Sequence, residues 1–197
     1  MNFPLIKLLK NGILVELDYI DTQEQEVVRA LLNVVIVEGK TYPQKQPLSP
    51  AEFSAYWLSK DAFVVKTSVQ DTTHKPKEIL GAFYLKPNFP GRCSHICNAG
   101  FIVQPGLRGQ GIGRFMGEAL LLIAANLGYE AVMFNLVFET NIPSITLWQS
   151  LGFEIIGRIP RAAKLGDQQV VDALIMYRVL GWTTYLSLYV PEVSHSA

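Results

Sequence analysis

QPGLRGQGIGRF, residues 104–115, places glycines at every second position, 109, 111 and 113, directly before an apolar segment with helical spacing. Glycine costs backbone entropy in an ordered chain, so this spacing indicates that something must approach the bare backbone. The first N–H groups of a helix lack internal partners and carry the positive end of its dipole. A strand that runs through this loop into a helix therefore predicts an anion site, flanked here by Arg108 and Arg114.

Two common phosphate motifs do not fit this loop. A P-loop requires Lys and then Ser or Thr after its last glycine, whereas Arg114 and Phe115 follow Gly113. A dinucleotide fingerprint requires Gly-x-Gly-x-x-Gly, and Gly117 gives the wrong final spacing. A third pattern, Gln/Arg-x-x-Gly-x-Gly/Ala, is met by RGQGIG at 108–113. A tight strand-to-helix turn without a ligand remains the alternative interpretation.

The composition predicts a single domain without a nucleic-acid or membrane surface. The chain has 197 residues, 49% of them hydrophobic, and its 17 basic residues balance 17 acidic ones. It has no run of 18 apolar residues, and Lys7 and Lys10 interrupt the apolar N-terminal stretch. We therefore expect neither a membrane span nor a signal peptide, and we take a cytoplasmic location as the default.

The segment CSHIC, residues 93–97, raises the question of a metal site or a disulfide. We predict a strand over 94–103, along which four residues span about 13 Å. A disulfide needs Cα atoms within about 7 Å. Two cysteines without a second ligand cluster are a weak zinc signal, so we expect reduced strand cysteines and no metal.

Apolar periodicity predicts alternating strands and helices. The predicted helices cover 21–39, 50–57, 112–127 and 141–151, and the predicted strands cover 12–20, 62–69, 78–87, 94–103, 130–138, 153–160 and 170–180. The nearly all-apolar strand at 130–138 is typical of burial on both faces. Hairpins join the early strands and a βαβ unit follows, so we expect an α/β fold of the α+β kind, with a mixed, mostly antiparallel sheet and helices on both faces.

Three segments together resemble the GNAT superfamily of acetyltransferases. RGQGIG (108–113) matches its pyrophosphate loop, NIPSITLWQSLGF (141–153) matches its second signature, and DALIMYRVL (172–180) matches its closing strand. The resemblance spans about residues 12–180, which places one domain at 1–182 and a tail at 183–197. The segments CNAGFIVQPGLRGQGIG, VMFNLVFETN and SLGFEIIGRIPRA further resemble the branch that acetylates proline analogues such as azetidine-2-carboxylate.

The resemblance implies that strands 94–103 and 130–138 splay apart around acetyl-CoA. The pantetheine arm is then expected along the first strand, the pyrophosphate on the glycine loop, and the second-signature helix on the other side. The residues implied to bind the cofactor are Phe101, Ile102, Val103, Arg108, Gly109, Gln110, Gly111, Ile112, Gly113, Arg114, Asn141, Ser144 and Trp148. Capping of the helix is the alternative role for Asn141.

The implied reaction is direct transfer of an acetyl group to a neutral amine, with strand N–H groups stabilising the developing oxyanion. Trp148 stands where many family members carry a tyrosine that protonates the departing sulfur. An indole N–H is a donor and not a practical acid, so we expect catalysis without that acid or through water, and core packing is the alternative role. No base is evident; His95, Glu139 and water are the candidates.

Polar side chains on the two central strands are the candidates for holding the acceptor. We predict that Asn135, which we assign to the catalytic site, and Asn98 hold its carboxylate or orient its ring nitrogen. The alternative is that these amides satisfy backbone groups left unpaired by the splay. Tyr42 and Phe53 are candidates to close over a small ring, with ordinary loop packing as the alternative. Arg161 and Lys164 are candidates to attract an anion, with solvation as the alternative.

Three acceptor hypotheses remain open: a small amino or imino acid, a protein or peptide, and no acceptor at all in a non-catalytic acyl-CoA-binding module. The tail alternates apolar and polar residues over 182–190. Exposed strand edges favour pairing, so the tail predicts either an added edge strand or a contact with another subunit of a homodimer.

Overall fold

Eight strands form one mixed sheet in the computed structural model, which describes residues 1–68 and 77–181. The sheet order is β1-β2-β3-β4-β5-β6-β8-β7, and every neighbouring pair is antiparallel except β5 and β6. The strands are β1 Leu5–Leu8, β2 Leu14–Tyr19, β3 Asp61–Thr67, β4 Ile79–Pro87, β5 Ile96–Val103, β6 Ala131–Phe138, β7 Glu154–Lys164 and β8 Val170–Val179.

Four α-helices pack on this sheet within the described ranges: α1 Gln25–Val37, α2 Pro50–Trp57, α3 Ile112–Asn126 and α4 Ile142–Ser150. Ser49 and Glu52 form a capping box at the start of α2, which satisfies two otherwise unpaired N–H groups. Gly111 caps α3 in the left-handed conformation, with φ of 91°. None of the helices in these ranges is long and apolar enough to cross a membrane.

The pleat of β4 separates two hydrophobic cores. Phe83 and Leu85 lie in the core that contains α3 and residues of α4. Ala82 and Tyr84 point to the opposite face, into the core that contains α1 and α2. Because successive strand residues face opposite sides, one strand supplies both cores and the predicted placement of helices on both faces is confirmed.

The sheet opens between its two central strands. The parallel pair β5/β6 has only two registered positions, Ile96 with Ala131 and Cys97 with Val132. Farther along, β6 stays with β8 but its register shifts between Phe134 and Val137. The predicted splay is therefore present, and it begins immediately after Cys97.

Several sequence predictions need correction. The edge strand β1 was not predicted, because four residues carry little periodicity of their own; it pairs with β2 through a turn at Gly12, whose φ is 85°. The strand predicted at 94–103 begins at Ile96, so Cys93 lies in an exposed 3₁₀ turn and not on the strand. The strand predicted at 153–160 runs on to Lys164. The predicted tail, 183–197, lies outside the described residues.

Both cysteines have free thiols, and only Cys97 is buried. Its thiol donates to the carbonyl of Ala131 at 3.4 Å, and burial raises its pKa to about 12. Within residues 1–68 and 77–181, no group of three His, Cys, Asp or Glu side chains is arranged to hold a metal ion.

Candidate active site

A cavity of about 870 Å³ occupies the opening between β5 and β6. Its walls come from both strands, the glycine loop, the first turn of α3, α4 and the loop after α1. The predicted residues that line it are Tyr42, Asn98, Phe101, Ile102, Val103, Arg108, Gly109, Gly111, Gly113, Arg114, Asn135, Asn141, Ser144 and Trp148. The splay thus brings most of the predicted site residues together.

The glycine loop forms a cradle of bare backbone at the cavity wall. Gly109 and Gly111 have φ of 79° and 91°, a conformation that L side chains rarely adopt. Gly113 is different, because its backbone is helical and an added Cβ would meet only Leu147 Cδ2, at 3.5 Å. The fold itself therefore does not require glycine at 113, which agrees with the Gly/Ala choice that the loop pattern allows at this position.

Two arginines beside the loop are held by carboxylates. Arg108 Nη2 lies 2.8 Å from Glu38 Oε2, and Arg114 Nη1 lies 3.4 Å from Glu118 Oε1. Both arginine side chains are about half exposed. A guanidinium has five N–H donors, so each arginine retains donors for a phosphate group while its position stays fixed.

The edge of β5 turns backbone groups toward the cavity. The Asn88 N–H donates to the Ile96 carbonyl at 2.8 Å, so the even-numbered residues of β5 face β4. Alternation then directs the backbone groups of Phe101 and Val103 toward β6, which has separated at that point. The hydroxyl of Tyr42 donates to the Phe101 carbonyl at 3.1 Å. The result is an open strand edge, which an extended ligand can pair with.

Asn98 bridges the two strands at the point where they part. Its Nδ2 donates to the Met133 carbonyl at 2.8 Å, and its Oδ1 accepts from the Tyr84 hydroxyl at 3.4 Å. The hydroxyls of Tyr56 and Tyr84 are also 3.4 Å apart. Asn98 therefore satisfies a backbone carbonyl freed by the splay, as the alternative interpretation predicted, and it lines the cavity as well.

The composition of β6 predicted burial on both faces, and this prediction was wrong at Asn135, which is exposed. It lies within the register shift of β6, next to the exposed Leu136. Its amide exchanges two hydrogen bonds with the amide of Asn88, at 3.0 and 2.5 Å. Asn88 was not predicted, and its position in the turn after β4 gave no sequence signal for this pairing.

The two predicted aromatic residues differ in position. Tyr42 lines the cavity, and burial raises the pKa of its hydroxyl well above the ordinary value. Phe53 is 2% exposed and stacks on Trp57 at 6.2 Å between centroids, away from the cavity wall. Helix α2 and strand β4 instead present Tyr56 and Tyr84 to the cavity, and neither residue was predicted from the sequence. A tyrosine within an otherwise apolar strand, as in GAFYL at 81–85, was the available signal for the second.

Trp148 is a core residue at the cavity wall. It is 5% exposed, and its ring centroid lies 4.8 Å from that of Phe101 and 4.6 Å from that of Phe134. An added Cβ on Gly117 would lie 3.0 Å from the indole, so α3 packs tightly against it. These packing contacts explain why a large aromatic side chain stands at position 148, and they require no role for it as an acid.

The remaining predicted cofactor residues divide into two groups. Asn141 Oδ1 accepts from the Ser144 N–H at 3.4 Å and caps α4, and both residues line the cavity, so the two suggested roles of Asn141 are compatible. Gln110 and Ile112 do not line it: Gln110 Oε1 accepts from Asn11 at 2.9 Å, and Ile112 is buried in the core. Any contact of these two with a ligand would be through the backbone.

The candidate base Glu139 is engaged elsewhere. Its Oε2 accepts from Arg158 at 3.1 Å, and its Oε1 accepts from the Asp172 N–H at 3.1 Å. His95 lies in the turn before β5 and does not line the cavity. Arg161 and Lys164 lie on the edge strand β7, also outside the lining. None of the described residues that line the cavity is an Asp, a Glu or a His.

Comparison with known proteins identifies the fold and its chemistry. The model of the acetyltransferase (GNAT) family matches residues 36–153. N-acetyltransferase aca1 of Schizosaccharomyces pombe is 40% identical over 155 residues, covering 73% of this chain and 74% of that protein. This chain belongs to the GNAT acetyltransferase family. It is accordingly an acetyl-CoA-dependent acyltransferase, as the sequence predicted.

Solved GNAT structures share the architecture. A GCN5-related N-acetyltransferase from Kribbella flavida aligns with a TM-score of 0.77 and 26% identity, covering 84% of this chain and 98% of that one. A phosphinothricin acetyltransferase from Sinorhizobium meliloti, solved in complex with acetyl-CoA, aligns with a TM-score of 0.72 and 20% identity, covering 85% and 89%. The eight-stranded sheet of this GNAT enzyme, with its opened centre, is thus the family fold.

Proposed function

We propose that this GNAT enzyme transfers the acetyl group of acetyl-CoA to the nitrogen of a small amino or imino acid, such as a proline analogue. The observation that carries the proposal is the group of three tyrosines in the cavity wall. Tyr42, Tyr56 and Tyr84 line this part of the cavity, and Asn98 and Asn135 add amide groups. Aromatic walls with a few polar groups suit a small ligand better than an extended chain.

The loop after α1 contributes Tyr42 to the cavity wall. The Gly166 N–H donates to the Gly39 carbonyl at 2.9 Å, which ties this loop to the β7–β8 connection. A Cβ on Gly39 would lie 2.9 Å from Gly166 Cα, so the two backbones are in direct contact. These contacts anchor the loop that carries Tyr42, which supports a preformed pocket for a small acceptor.

The geometry of the cavity supports the cofactor contacts that the resemblance implies. We assign the pyrophosphate to the backbone of 108–114 and the pantetheine arm to the open edge of β5 at Phe101 and Val103. When bound, acetyl-CoA supplies the activated acyl thioester. The N–H groups of that edge are positioned to stabilise negative charge on an acyl oxygen, and Asn141 and Ser144 form the opposite wall.

Proton transfer in this proposal depends on water. No described lining residue is an Asp, Glu or His. Burial raises the pKa of Tyr42 and also that of Tyr84, so at neutral pH both hydroxyls stay protonated and act as donors. Of the three candidates that the sequence left open, we therefore favour water as the acceptor of the amine proton, and the rate comes mainly from holding the two reactants together.

We also retain the homodimer and the cytoplasmic location as proposals. The edge strand β7 exposes Ile155, Ile156 and Ile159, and an exposed edge with apolar side chains favours pairing. The two free thiols, Cys93 and Cys97, are typical of a reducing compartment. Light scattering of the purified protein tests the homodimer directly: a dimer mass supports it and a monomer mass rejects it.

The test of the proposed function is release of free CoA thiol, corrected for hydrolysis, with azetidine-2-carboxylate and with a panel of peptides. The proposal predicts thiol release and an N-acetylated product, identified by mass spectrometry, with the ring compound. Turnover of peptides but not of the ring compound would assign the enzyme to peptide acceptors. Binding of acetyl-CoA with no acceptor turned over would favour a non-catalytic acyl-CoA-binding module.

A further inference from the structure

Lys86 is a half-buried cation that does not itself line the cavity but lies beside Tyr56 and Tyr84, which do. It lies on β4 directly opposite Asn98 of β5, and both side chains point to the face that carries α1 and α2. Its Nζ donates to the Tyr56 carbonyl at 3.1 Å. The same atom lies 4.7 Å from the ring centroid of Tyr84 and 5.0 Å from that of Tyr56. The ammonium is thus held against the two rings whose residues line the cavity.

The charge of Lys86 is not neutralised by a carboxylate within 4.0 Å in the described part of the chain. The arginines of the glycine loop, by contrast, each have a glutamate partner. Burial alone lowers the pKa of the Lys86 ammonium, which indicates a charge that lacks compensation. An ammonium has three donors, and the carbonyl of Tyr56 accepts from only one. A partly buried cation with spare donors is favourably placed to bind an anion.

The position of Lys86 indicates which anion its ammonium can bind. It pairs with Asn98, at the base of the splay, whereas the glycine loop begins after Val103. Five residues of strand separate Asn98 from Val103, or about 17 Å. Lys86 is therefore remote from the pyrophosphate cradle, and the anion that reaches it enters from the acceptor side.

We propose that Lys86 binds the carboxylate of the acceptor and makes the enzyme specific for amines that carry one. This inference rests on the proposed function and adds the residue that selects the substrate class. The ammonium takes one carboxylate oxygen; it lies against the ring of Tyr84, and Tyr84 and Asn98 both line the cavity. The acceptor nitrogen is then directed toward the opening between β5 and β6.

The test compares two acceptors that differ only in the carboxylate, azetidine-2-carboxylate and azetidine, each with Lys86→Met, Lys86→Arg and wild type. Lys60→Met is the matched control, because it removes the same charge from an exposed position. Calorimetry with acetyl-CoA confirms that each variant is folded and binds the cofactor. A charge-assisted hydrogen bond predicts a loss of about 10- to 100-fold in kcat/KM for azetidine-2-carboxylate in Lys86→Met.

The inference also predicts that Lys86→Met leaves the turnover of azetidine unchanged and that Lys86→Arg keeps the preference for the carboxylate. Equal turnover of both acceptors by wild type, or an undiminished preference in Lys86→Met, overturns the role of Lys86 but leaves the acetyltransferase assignment standing. Turnover of neither compound by a wild type that binds acetyl-CoA overturns the proposed function itself.

A measurement without variants gives a second readout. Cyclobutanecarboxylate retains the ring and the carboxylate but lacks the nitrogen, so it should inhibit competitively against azetidine-2-carboxylate. Its neutral amide should inhibit at least about tenfold more weakly. Equal inhibition by the acid and the amide contradicts a cation at this position.

Discussion

Gly113→Glu separates the demands of the fold from those of the ligand. The added Cβ would meet only Leu147 Cδ2 at 3.5 Å, an ordinary van der Waals contact, and the backbone at 113 is helical. Glutamate has a higher helix propensity than glycine, and an acid in the first turn of a helix adds about 0.3–1 kcal/mol of stability. For a chain of 197 residues we therefore expect Tm to stay unchanged or to rise by about 2–4 °C.

Binding of acetyl-CoA should respond in the opposite direction. Because Gly113 lines the cavity, the new carboxylate would lie beside the cradle and repel the diphosphate. Two unit charges 4 Å apart interact by about 1 kcal/mol in bulk water and by more near a protein surface, so Kd should rise at least about tenfold. Calorimetric titration with acetyl-CoA measures this change, and differential scanning calorimetry measures Tm on the same sample.

Two controls isolate the cause of the change. Gly113→Ala, which the loop pattern allows, adds only a methyl group at the same position and should bind acetyl-CoA like wild type. S-acetylpantetheine lacks the diphosphate, so its affinity should not respond to Gly113→Glu. Wild-type affinity for acetyl-CoA in a folded Gly113→Glu protein would refute the cradle.

Three further predictions concern single side chains. Asn135→Ala, at an exposed position, should keep Tm but reduce kcat or raise KM at least about tenfold, and unchanged kinetics would remove this residue from the site. Trp148→Phe should change kcat by less than about tenfold and leave the pH–rate profile in place, whereas loss of a general acid costs about 10²–10⁴-fold. Iodoacetamide at pH 8 should alkylate Cys93 in the native protein and Cys97 only after unfolding, because burial raises the pKa of Cys97 to about 12. Since the unfolded thiol ionises near its ordinary value of 9.0, the contribution of Cys97 to stability is complete below that pH and is lost as pH rises toward 12; urea titrations at pH 8 and pH 10 measure this loss.

Local patterns in the sequence were sufficient for most of the fold. The glycine loop and the helix behind it form a strand–loop–helix unit whose demands are local, and they were predicted correctly. The edge strand β1 was missed because a four-residue strand with alternating burial is defined by its partner β2 and not by its own composition. The separation of β5 and β6 was predicted from the resemblance to the GNAT superfamily, because no spacing of residues in the sequence indicates where two strands part.

The acceptor end was predicted less well, because its contacts are long-range. Asn135 carries no local sign of its pairing with Asn88, which lies 47 residues away. Phe53 and Tyr56 belong to the same short helix, α2. Phe53 stacks on Trp57 and Tyr56 packs against Tyr84, and only these contacts decide which of the two side chains reaches the cavity. Lys86 resembles any strand-end lysine in sequence, and only the structure shows that no carboxylate of residues 1–68 and 77–181 lies within 4.0 Å of it.

Hydrogen exchange at single backbone amides, followed by NMR with and without acetyl-CoA, tests the central claim most directly. The account predicts that the ligand slows exchange at Phe101 and Val103 on the open edge of β5 and at residues 109–114, with little change along β1 to β3. Unchanged exchange at both places under saturating acetyl-CoA, or slowing confined to another part of the sheet, would contradict an opened strand pair as the binding site.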